Sequence, residues 1–458
     1  MNNSSIRFFL ILGLCLASLS AWAGGPLAVG GPSFGIDGQP FRWNPAAMPI
    51  RYRVDPGPMA VTSSGLVVVP NATGLQRVQS MFNVWQSVPT ASLSFANAGT
   101  ITPTGAYTGG DVQTLAQFNA INGSCNAAAQ NPIIFDANGS LVAALGLPPE
   151  VIGFASPCTA DPATGFIVSA FAVLNGEFQD GLDSAPNFEL TPNEFDEALT
   201  HEFGHFSGLD HAQINLDLLT SFNGRACDLD SLSGLPLMFP IEFCQARKDA
   251  GLPVLAPDDV SWISKLYPAS TQLTSYATIS GAIFFSDGQS QFQGANVIAR
   301  QVDDPNTAED ESRRVAVSVV SGYLFTANPG QSVTGDNDSG DRTGSRKPGL
   351  IGFYEISVPP GTYTVEVESV FQGFQAGSSV GPIDPPAFVP VSEFWKKDES
   401  AFDFPGQRDT ITVRPGDHIT DVNIILNSTN EQFDFNEDTG ALVNSPVPFF
   451  AVTEGVGA

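Results

Sequence analysis

The stretch of sequence that decides the fold runs from residue 201 to residue 211 and reads HEFGHFSGLDH. His201 and His205 are four residues apart, so on an α-helix both imidazoles project from one face and can hold a single ion. Gly208 is suited to end that helix, because glycine accepts the left-handed conformation that lets a chain reverse sharply. The reversal would return His211 as a third ligand. Chance assembly of the five specified positions has a probability on the order of 10⁻⁸ per starting position.

The residues before this stretch predict where the helix begins. Thr191 and Glu194 form a capping box with Pro192 at the first helical position, so we expect a helix from there through His205. Its buried side would carry four apolar residues: Phe195, Ala198, Leu199 and Phe206. The pattern therefore places both histidines towards the C-terminal end of one amphipathic helix.

Three neutral histidines predict a site for one zinc ion with an open fourth position. Zinc lowers the pKa of a water in that position to about 7 and polarises a peptide carbonyl. Glu202 lies next to a ligand in sequence but points in a different direction, so it can act as the general base for that water. The residues therefore predict a zinc-dependent hydrolase that acts on peptide bonds.

The same pattern, H-E-x-x-H-x-x-G-x-x-H, resembles the signature of the metzincins, a group of zinc endopeptidases. Downstream, Leu237-Met238-Phe239-Pro240 resembles their Met-turn. The resemblance implies that Met238 supports the histidines without binding the metal. An ordinary core methionine is the alternative interpretation.

Other segments resemble the matrixin subgroup. Residues 258–267, which read DDVSWISKLY, are similar to its closing helix. Trp43 with residues 50–52, and residues 152–155, are similar to its opening and edge strands. The resemblance covers about residues 38–270 and implies a mixed sheet with an active-site helix.

This chain differs from the vertebrate matrixins in two respects. The first cysteine of the mature chain is Cys125, so a propeptide cysteine switch is not expected. The sole spare histidine is His418, in the other half of the chain, so a second, histidine-bound structural zinc is not expected either. Asp136 and Asn138 are interpreted as turn residues rather than calcium ligands. The combination resembles a bacterial matrixin-like peptidase.

From about Thr271 the sequence changes to short β-rich segments separated by glycine and proline, which favours a β-sandwich. Residues 279–281, 294–297 and 359–365 resemble a carboxypeptidase regulatory-like domain. That resemblance implies a prealbumin-type sandwich and no catalytic role. The predicted fold class is therefore α+β, a metzincin domain followed by an all-β sandwich.

The first residues are predicted to be a signal peptide. Arg7 supplies a positive region, residues 8–19 an apolar one, and Ala21-Trp22-Ala23 a cleavage site near Ala23. No later stretch is long and apolar enough for a membrane helix. The predicted division of the chain is a signal peptide (1–23), a short segment (24–37), the zinc peptidase domain (38–270), the sandwich (271–428) and a poorly ordered tail (429–458). Secretion, either extracellular or periplasmic, follows.

The composition restricts the partners. Lys plus Arg total 19 against 47 Asp plus Glu, for a net charge of -28, which argues against nucleic acid and anionic lipid. The expected partner is a protein or peptide substrate, with a surface ligand for the sandwich as a further expectation.

Cleavage of the signal removes Cys15 and leaves four cysteines, an even number that predicts two disulfides in an exported chain. Three pairings exist, and sequence order favours Cys125 with Cys158 and Cys227 with Cys244. A thiolate zinc site is the competing interpretation, but no spacing is C-x-x-C.

Two interpretations stay open beside the main one. Calcium is suggested by the acidic run at residues 336–341, but that run lacks the downstream Glu of an EF-hand, so no specific motif supports it. For the function, the alternative is a non-catalytic extracellular binding or adhesion protein built on a metzincin scaffold. The intact Glu202 favours the enzyme.

Overall fold

The computed structural model describes residues 25–32, 34–122, 129–182, 188–215, 218, 227–239, 244–325, 344–369, 389 and 392–427, with the backbone of two strands at 434–436 and 441–444. These residues fall into two compact units. The first comprises 41–208 and 245–254, and the second comprises the described residues before 41, those of 209–244 and those from 255 onward. The predicted signal peptide, the acidic run at 336–341 and Cys125 lie outside the described residues, and the domain boundary predicted near residue 270 stays a prediction.

The first unit contains both helices and strands. Its helices are α1 (Asn71–Gln86), α2 (Leu115–Asn122), α3 (Ser140–Ala144) and α4 (Pro192–Phe206). Its strands are β1 (Arg42–Trp43), β2 (Ile50–Val54), β3 (Ala60–Val61), β4 (Val67–Val69), β5 (Phe95–Thr100), β6 (Pro132–Asp136), β7 (Gly153–Ala160) and β8 (Phe166–Asn175). Strands are present where they were expected, at residues 50–52 in β2 and at residues 153–155 in β7.

Six of these strands form one mixed sheet. The order is β1-β8-β6-β2-β5, all parallel, while β7 pairs antiparallel with β8. Every residue of β6 is buried, as expected for an interior strand of a parallel sheet.

Helices cover both faces of this sheet. Phe135 of β6 faces α1, and its ring lies 2.9 Å from the position that a Cβ on Gly74 would occupy, so the helix approaches this closely because Gly74 has no side chain. Ile134 points to the opposite face, since successive strand residues alternate, and joins a cluster with Phe118 of α2 and Leu141 of α3.

The second unit is mainly β-structure. Its helices are α5 (Leu229–Gly234), α6 (Pro257–Leu266) and α7 (Glu311–Arg314). Its strands are β9 (Ala277–Phe284), β10 (Ala295–Gln301), β11 (Ala316–Val320), β12 (Phe353–Val358), β13 (Gly361–Ser369), β14 (Glu393–Phe394), β15 (Ile411–Val413), β16 (His418–Ile419), β17 (Ile424–Ile425), β18 (Asp434–Asn436) and β19 (Ala441–Asn444).

This unit contains two larger sheets besides the two-stranded sheet β18-β19. One has the order β11-β10-β13-β14 with β15 also on β13, and the other has the order β12-β9-β16 with β17 also on β9. The chain as a whole is therefore mixed α+β, as predicted, and the prealbumin-type arrangement stays a prediction.

The helix α6 is attached to the strands that follow it in the chain. Trp262 Nε1 donates a hydrogen bond to the Ser318 carbonyl over 2.8 Å, and the Ser318 amide donates to Asp258 Oδ1 over 2.7 Å. Burial and the neighbouring Asp259 raise the pKa of Asp258 well above its ordinary value. These bonds join α6 to β11 within the second unit.

One predicted disulfide is present, between Cys227 and Cys244. Cys158 is also disulfide-bonded, and its expected partner, Cys125, lies outside the described residues. Among the residues that the structure describes, no helix has the length and apolar character needed to cross a membrane.

Candidate metal centre

The helix α4 begins as the sequence predicts. Thr191 Oγ1 accepts a hydrogen bond from the Glu194 amide, the Glu194 carboxylate accepts one from the Thr191 amide, and Pro192 occupies the first turn. The capping box satisfies main-chain amides that have no partner inside the helix. The predicted start and the run through His205 are confirmed.

Two buried indoles donate hydrogen bonds to the C-terminal half of α4. Trp43 Nε1 donates to the Phe206 carbonyl over 2.9 Å, and Trp85 Nε1 donates to the Thr200 carbonyl over 2.8 Å. The Phe206 carbonyl belongs to the last turn, where helix carbonyls lack an intrahelical partner. Strand β1 and helix α1 thus fix the segment that carries the two histidines.

The ring nitrogens of His201 and His205 converge. Their Nε2 atoms are 3.1 Å apart, and one ligand nitrogen from each of His201, His205 and His211 lies within 4.8 Å of the others. Two nitrogens bound to a tetrahedral zinc at about 2.0–2.1 Å are about 3.3–3.4 Å apart, so the helical pair fits one zinc ion. All three predicted ligands are brought together.

The chain reverses sharply after α4, before it reaches His211. Ser207 ends the helix, and Gly208 adopts φ +91°, in the left-handed region that glycine accepts at low cost. The Asp210 amide then donates to the Gly25 carbonyl over 2.9 Å, and Asp210 Oδ1 accepts from the His211 amide over 2.8 Å. The role predicted for Gly208 is confirmed.

The Glu202 side chain lies beside strand β7. A Cβ placed on Gly153 would lie 3.5 Å from Glu202 Cγ, and the Ala155 amide donates a hydrogen bond to the Glu202 carboxylate. Burial raises the pKa of Glu202 to about 8, and the bond from Ala155 opposes that rise. A cation held by the histidines would also oppose that rise, because a nearby positive charge favours the charged carboxylate.

Met238 is buried, with 2% of its surface exposed. Its carbonyl accepts a hydrogen bond from the amide of Ala212, the residue after His211, over 2.8 Å. Its amide donates to Asp259 Oδ1 over 3.0 Å, while Asp259 Oδ2 accepts from the Leu237 amide over 2.7 Å. The segment of Met238 is thus bonded to the segment that carries the third histidine.

Sequence reasoning missed the role of Asp259. Asp258 and Asp259 attracted notice only as part of a helix, and nothing in the sequence joined them to residues 237–238. An acidic pair at the start of a helix otherwise indicates only favourable dipole interactions. The same reasoning missed three clustered carboxylates, those of Glu393, Glu399 and Asp403.

Two further residues named in the sequence analysis make hydrogen-bond contacts. His418 is exposed on β16, where its Nδ1 lies 2.8 Å from Thr278 Oγ1. Asp136 ends β6, and its Oδ2 accepts from the amides of Leu141 and Val142 in the first turn of α3, each over 2.9 Å. Asp136 therefore acts as a turn and capping residue.

Comparison with known proteins assigns this chain to no family. No protein-family model matches this chain, and no curated protein matches it.

Proposed function

We propose that this chain is a secreted, zinc-dependent metalloendopeptidase of the matrixin-like metzincin type. The observation that carries the proposal is the convergence of three imidazoles, with the Nε2 atoms of His201 and His205 3.1 Å apart and His211 completing the group. Three protein nitrogen ligands with an open fourth coordination position are typical of catalytic rather than structural zinc sites. The disulfide between Cys227 and Cys244 supports an oxidising compartment.

Each residue has a defined task in the proposed reaction. When bound, zinc supplies a Lewis acid that polarises the peptide carbonyl and activates a water molecule. Glu202 takes the proton from that water and delivers it to the departing amine, as a general base and then a general acid. The Ala155 amide holds the Glu202 carboxylate in place for both transfers.

Strand β7 favours a polypeptide as the substrate. Among the described strands it pairs with β8 alone, so its other edge offers main-chain groups to an extended peptide. The start of this strand lies beside Glu202, as the positions of Gly153 and Ala155 show. A peptide added along this edge would bring its main chain close to the proposed general base.

The second unit supports the proposal through Met238, whose main chain it holds by the carboxylate of Asp259. We propose that the strands of this unit form a prealbumin-type sandwich, which presents a surface ligand or positions the enzyme near its substrate. This role is separate from the chemistry at the histidines.

The decisive experiment combines zinc analysis with digestion of casein and of a peptide library by the full-length chain. We expect one zinc per chain and internal cleavage of polypeptides. Glu202→Gln should retain the metal but lose at least about 10²-fold in kcat, the contribution of a positioned proton-transfer group. Glu194→Gln is the matched control, since it lies on the same helix and glutamine preserves a capping box.

The outcomes separate the hypotheses. A wild-type chain that holds zinc, cleaves nothing and binds a surface ligand would support the adhesion alternative. Cleavage of small amides without cleavage of polypeptides would replace the endopeptidase by another zinc hydrolase. Failure to retain zinc after exhaustive reconstitution would remove the basis of the proposal.

A further inference from the structure

A second group of potential metal ligands lies in the second unit. One carboxylate oxygen from each of Glu393, Glu399 and Asp403 lies within 4.8 Å of the others. Glu393 belongs to β14, and the other two lie on the connection from β14 to β15. We call these three residues the carboxylate cluster.

Main-chain amides orient each member of the cluster. The Asn427 amide donates a hydrogen bond to Glu393 Oε2 over 2.9 Å, and the Ser400 amide donates one to Asp403 Oδ2 over 3.1 Å. Glu399 accepts two such bonds, from the Lys396 amide over 2.7 Å and from the Ile425 amide over 3.1 Å. The three side chains are therefore fixed before any ligand arrives.

Two buried oxygens in this region accept no hydrogen bond from any residue that the structure describes. They are Glu393 Oε1, on a residue only 1% exposed, and Asn427 Oδ1, on a residue 6% exposed. Asn427 adjoins the cluster, because its Nδ2 lies 3.1 Å from Asp403 Oδ1. A buried polar group without a partner costs about 1–3 kcal/mol, and the cost is larger for a charged group. The Glu393 carboxyl also meets that of Asp403, and the two can share a hydrogen bond only while one of them carries a proton. When both are ionised, the Glu393 oxygen lacks an interaction that a cation would supply.

The ionised cluster carries more negative charge than the described cation beside it offsets. Lys396 Nζ lies 3.5 Å from Asp403 Oδ2 and supplies one positive charge against three carboxylates. With all three carboxylates ionised, two net negative charges remain, and a divalent cation would neutralise them. Burial, assisted by the neighbouring carboxylates, raises the pKa of Glu393 to about 8 and that of Glu399 to about 7. Protons and a divalent cation would therefore compete for these groups.

We propose that the carboxylate cluster binds one calcium ion. Its donors are all oxygens, which hard cations prefer, whereas zinc prefers nitrogen and sulfur. Calcium accepts irregular arrangements of six to eight oxygens, whereas magnesium demands a near-ideal octahedron. The site is independent of the three histidines and of the proposed peptidase activity.

The bound ion would tie together separate parts of the second unit. Glu393 and Glu399 are bonded to the amides of Asn427 and Ile425, which lie in and just after β17. Calcium bound to the same carboxylates would strengthen the attachment of β17 to the segment that follows β14. We therefore expect calcium to stabilise the second unit against unfolding.

The test uses the full-length, zinc-loaded chain, with calcium added at constant zinc. Calorimetric titration should show one calcium ion per chain, with Kd of about 10⁻⁴–10⁻³ M or tighter, the range of extracellular calcium modules. Calcium should also raise the unfolding temperature. Glu393→Gln and Glu399→Gln should each weaken calcium binding by roughly tenfold or more, because ligand charge sets the affinity. Asp398→Asn, an exposed carboxylate in the same connection, should leave it unchanged.

A second measurement separates ligand loss from misfolding. Without calcium, Glu393→Gln should be at least as stable as the wild type at pH 8, because it removes one of the repelling charges. Absence of calcium binding at millimolar concentration would overturn the proposal, and so would calcium stabilisation that persists in both glutamine variants. If Glu393→Gln does not fold, Glu399→Gln alone decides between these results.

Discussion

The carboxylate of Asp259 holds the main chain of Met238, with Oδ1 accepting a hydrogen bond from the Met238 amide over 3.0 Å. The second oxygen, Oδ2, accepts from the amides of Leu237 and Ala256, each over 2.7 Å. Asp259 is fully buried, so these bonds are shielded from water. One side chain at the start of α6 therefore fixes the turn that is bonded, through Ala212, to the segment of His211.

Replacement of Asp259 by Asn should loosen this turn. The amide group of asparagine retains one acceptor oxygen and presents N–H groups to main-chain amides that also donate. We expect a loss of about 1–3 kcal/mol in the free energy of unfolding, measured by urea denaturation. Zinc should dissociate faster from the variant, while Asp398→Asn, an exposed control, should match the wild type in both measurements. Unchanged zinc release would show that the turn does not support the histidines.

Two tryptophans allow a matched comparison at α4. Trp43→Phe removes the hydrogen bond to the Phe206 carbonyl, which lies in the last turn, and Trp85→Phe removes the bond to the Thr200 carbonyl in the helix interior. Both substitutions delete the same atoms from buried sites. We expect Trp43→Phe to cost about 1 kcal/mol more, because its carbonyl lacks an intrahelical partner. Thermal unfolding of the two variants side by side tests this, and equal losses would contradict it.

Gly153 permits the close approach of β7 to α4. A Cβ at this position would lie 2.7 Å from Leu199 Cδ2 and 2.9 Å from the Val173 carbonyl oxygen, so Gly153→Ala must displace the helix or the strand. We expect a loss of about 1–3 kcal/mol in stability and a lower kcat, since Glu202 moves with the helix. Gly349→Ala is the control, because a Cβ there meets nothing within 4 Å. A Gly153→Ala variant with wild-type stability and kcat would show that the contact relaxes without consequence.

Buried Asp55 predicts a dependence of stability on pH. Burial, assisted by the neighbouring Asp111, raises its pKa to about 7. Hydrogen bonds from the Gly57 and Val112 amides oppose part of this rise. The folded state therefore holds the proton more tightly than the unfolded state, whose pKa is about 3.9. The stabilisation is complete below about pH 4 and is lost as the pH rises through about 7.

Asp55→Asn does not titrate and should lack this loss. From pH 5 to pH 7 the wild type should therefore lose stability relative to the variant by up to about 1.4 kcal/mol per pH unit. Urea unfolding at four pH values between 5 and 8 measures the difference, with Asp398→Asn as the exposed control. Parallel pH profiles for wild type and Asp55→Asn would contradict the assignment.

The local features of the candidate site could be predicted from the sequence. The start of α4 at Thr191 and its end near Gly208 depend on residues within a few positions of one another, through capping and through backbone conformation. The same holds for His201 and His205, whose spacing alone places both rings on one face. Strands β2 and β7 also lie where the sequence led us to expect strands, at residues 50–52 and 152–155.

The remaining features depend on residues far apart in the chain. Trp43 contacts the end of α4 from 163 positions away, and the partner of Met238 lies 21 positions downstream. Glu393 meets the Asn427 amide across 34 positions, and no spacing rule marked it as part of a cluster.

The sequence by itself therefore determined the histidine-bearing helix and its two ends, and it led to the zinc chemistry that we propose for them. Only the tertiary structure decided what holds that helix and the Met238 turn in place, and where buried carboxylates gather. The physical reason is range: helix spacing and capping act within a few residues, whereas the burial of a charge and the partner of a distant amide depend on how strands and helices pack.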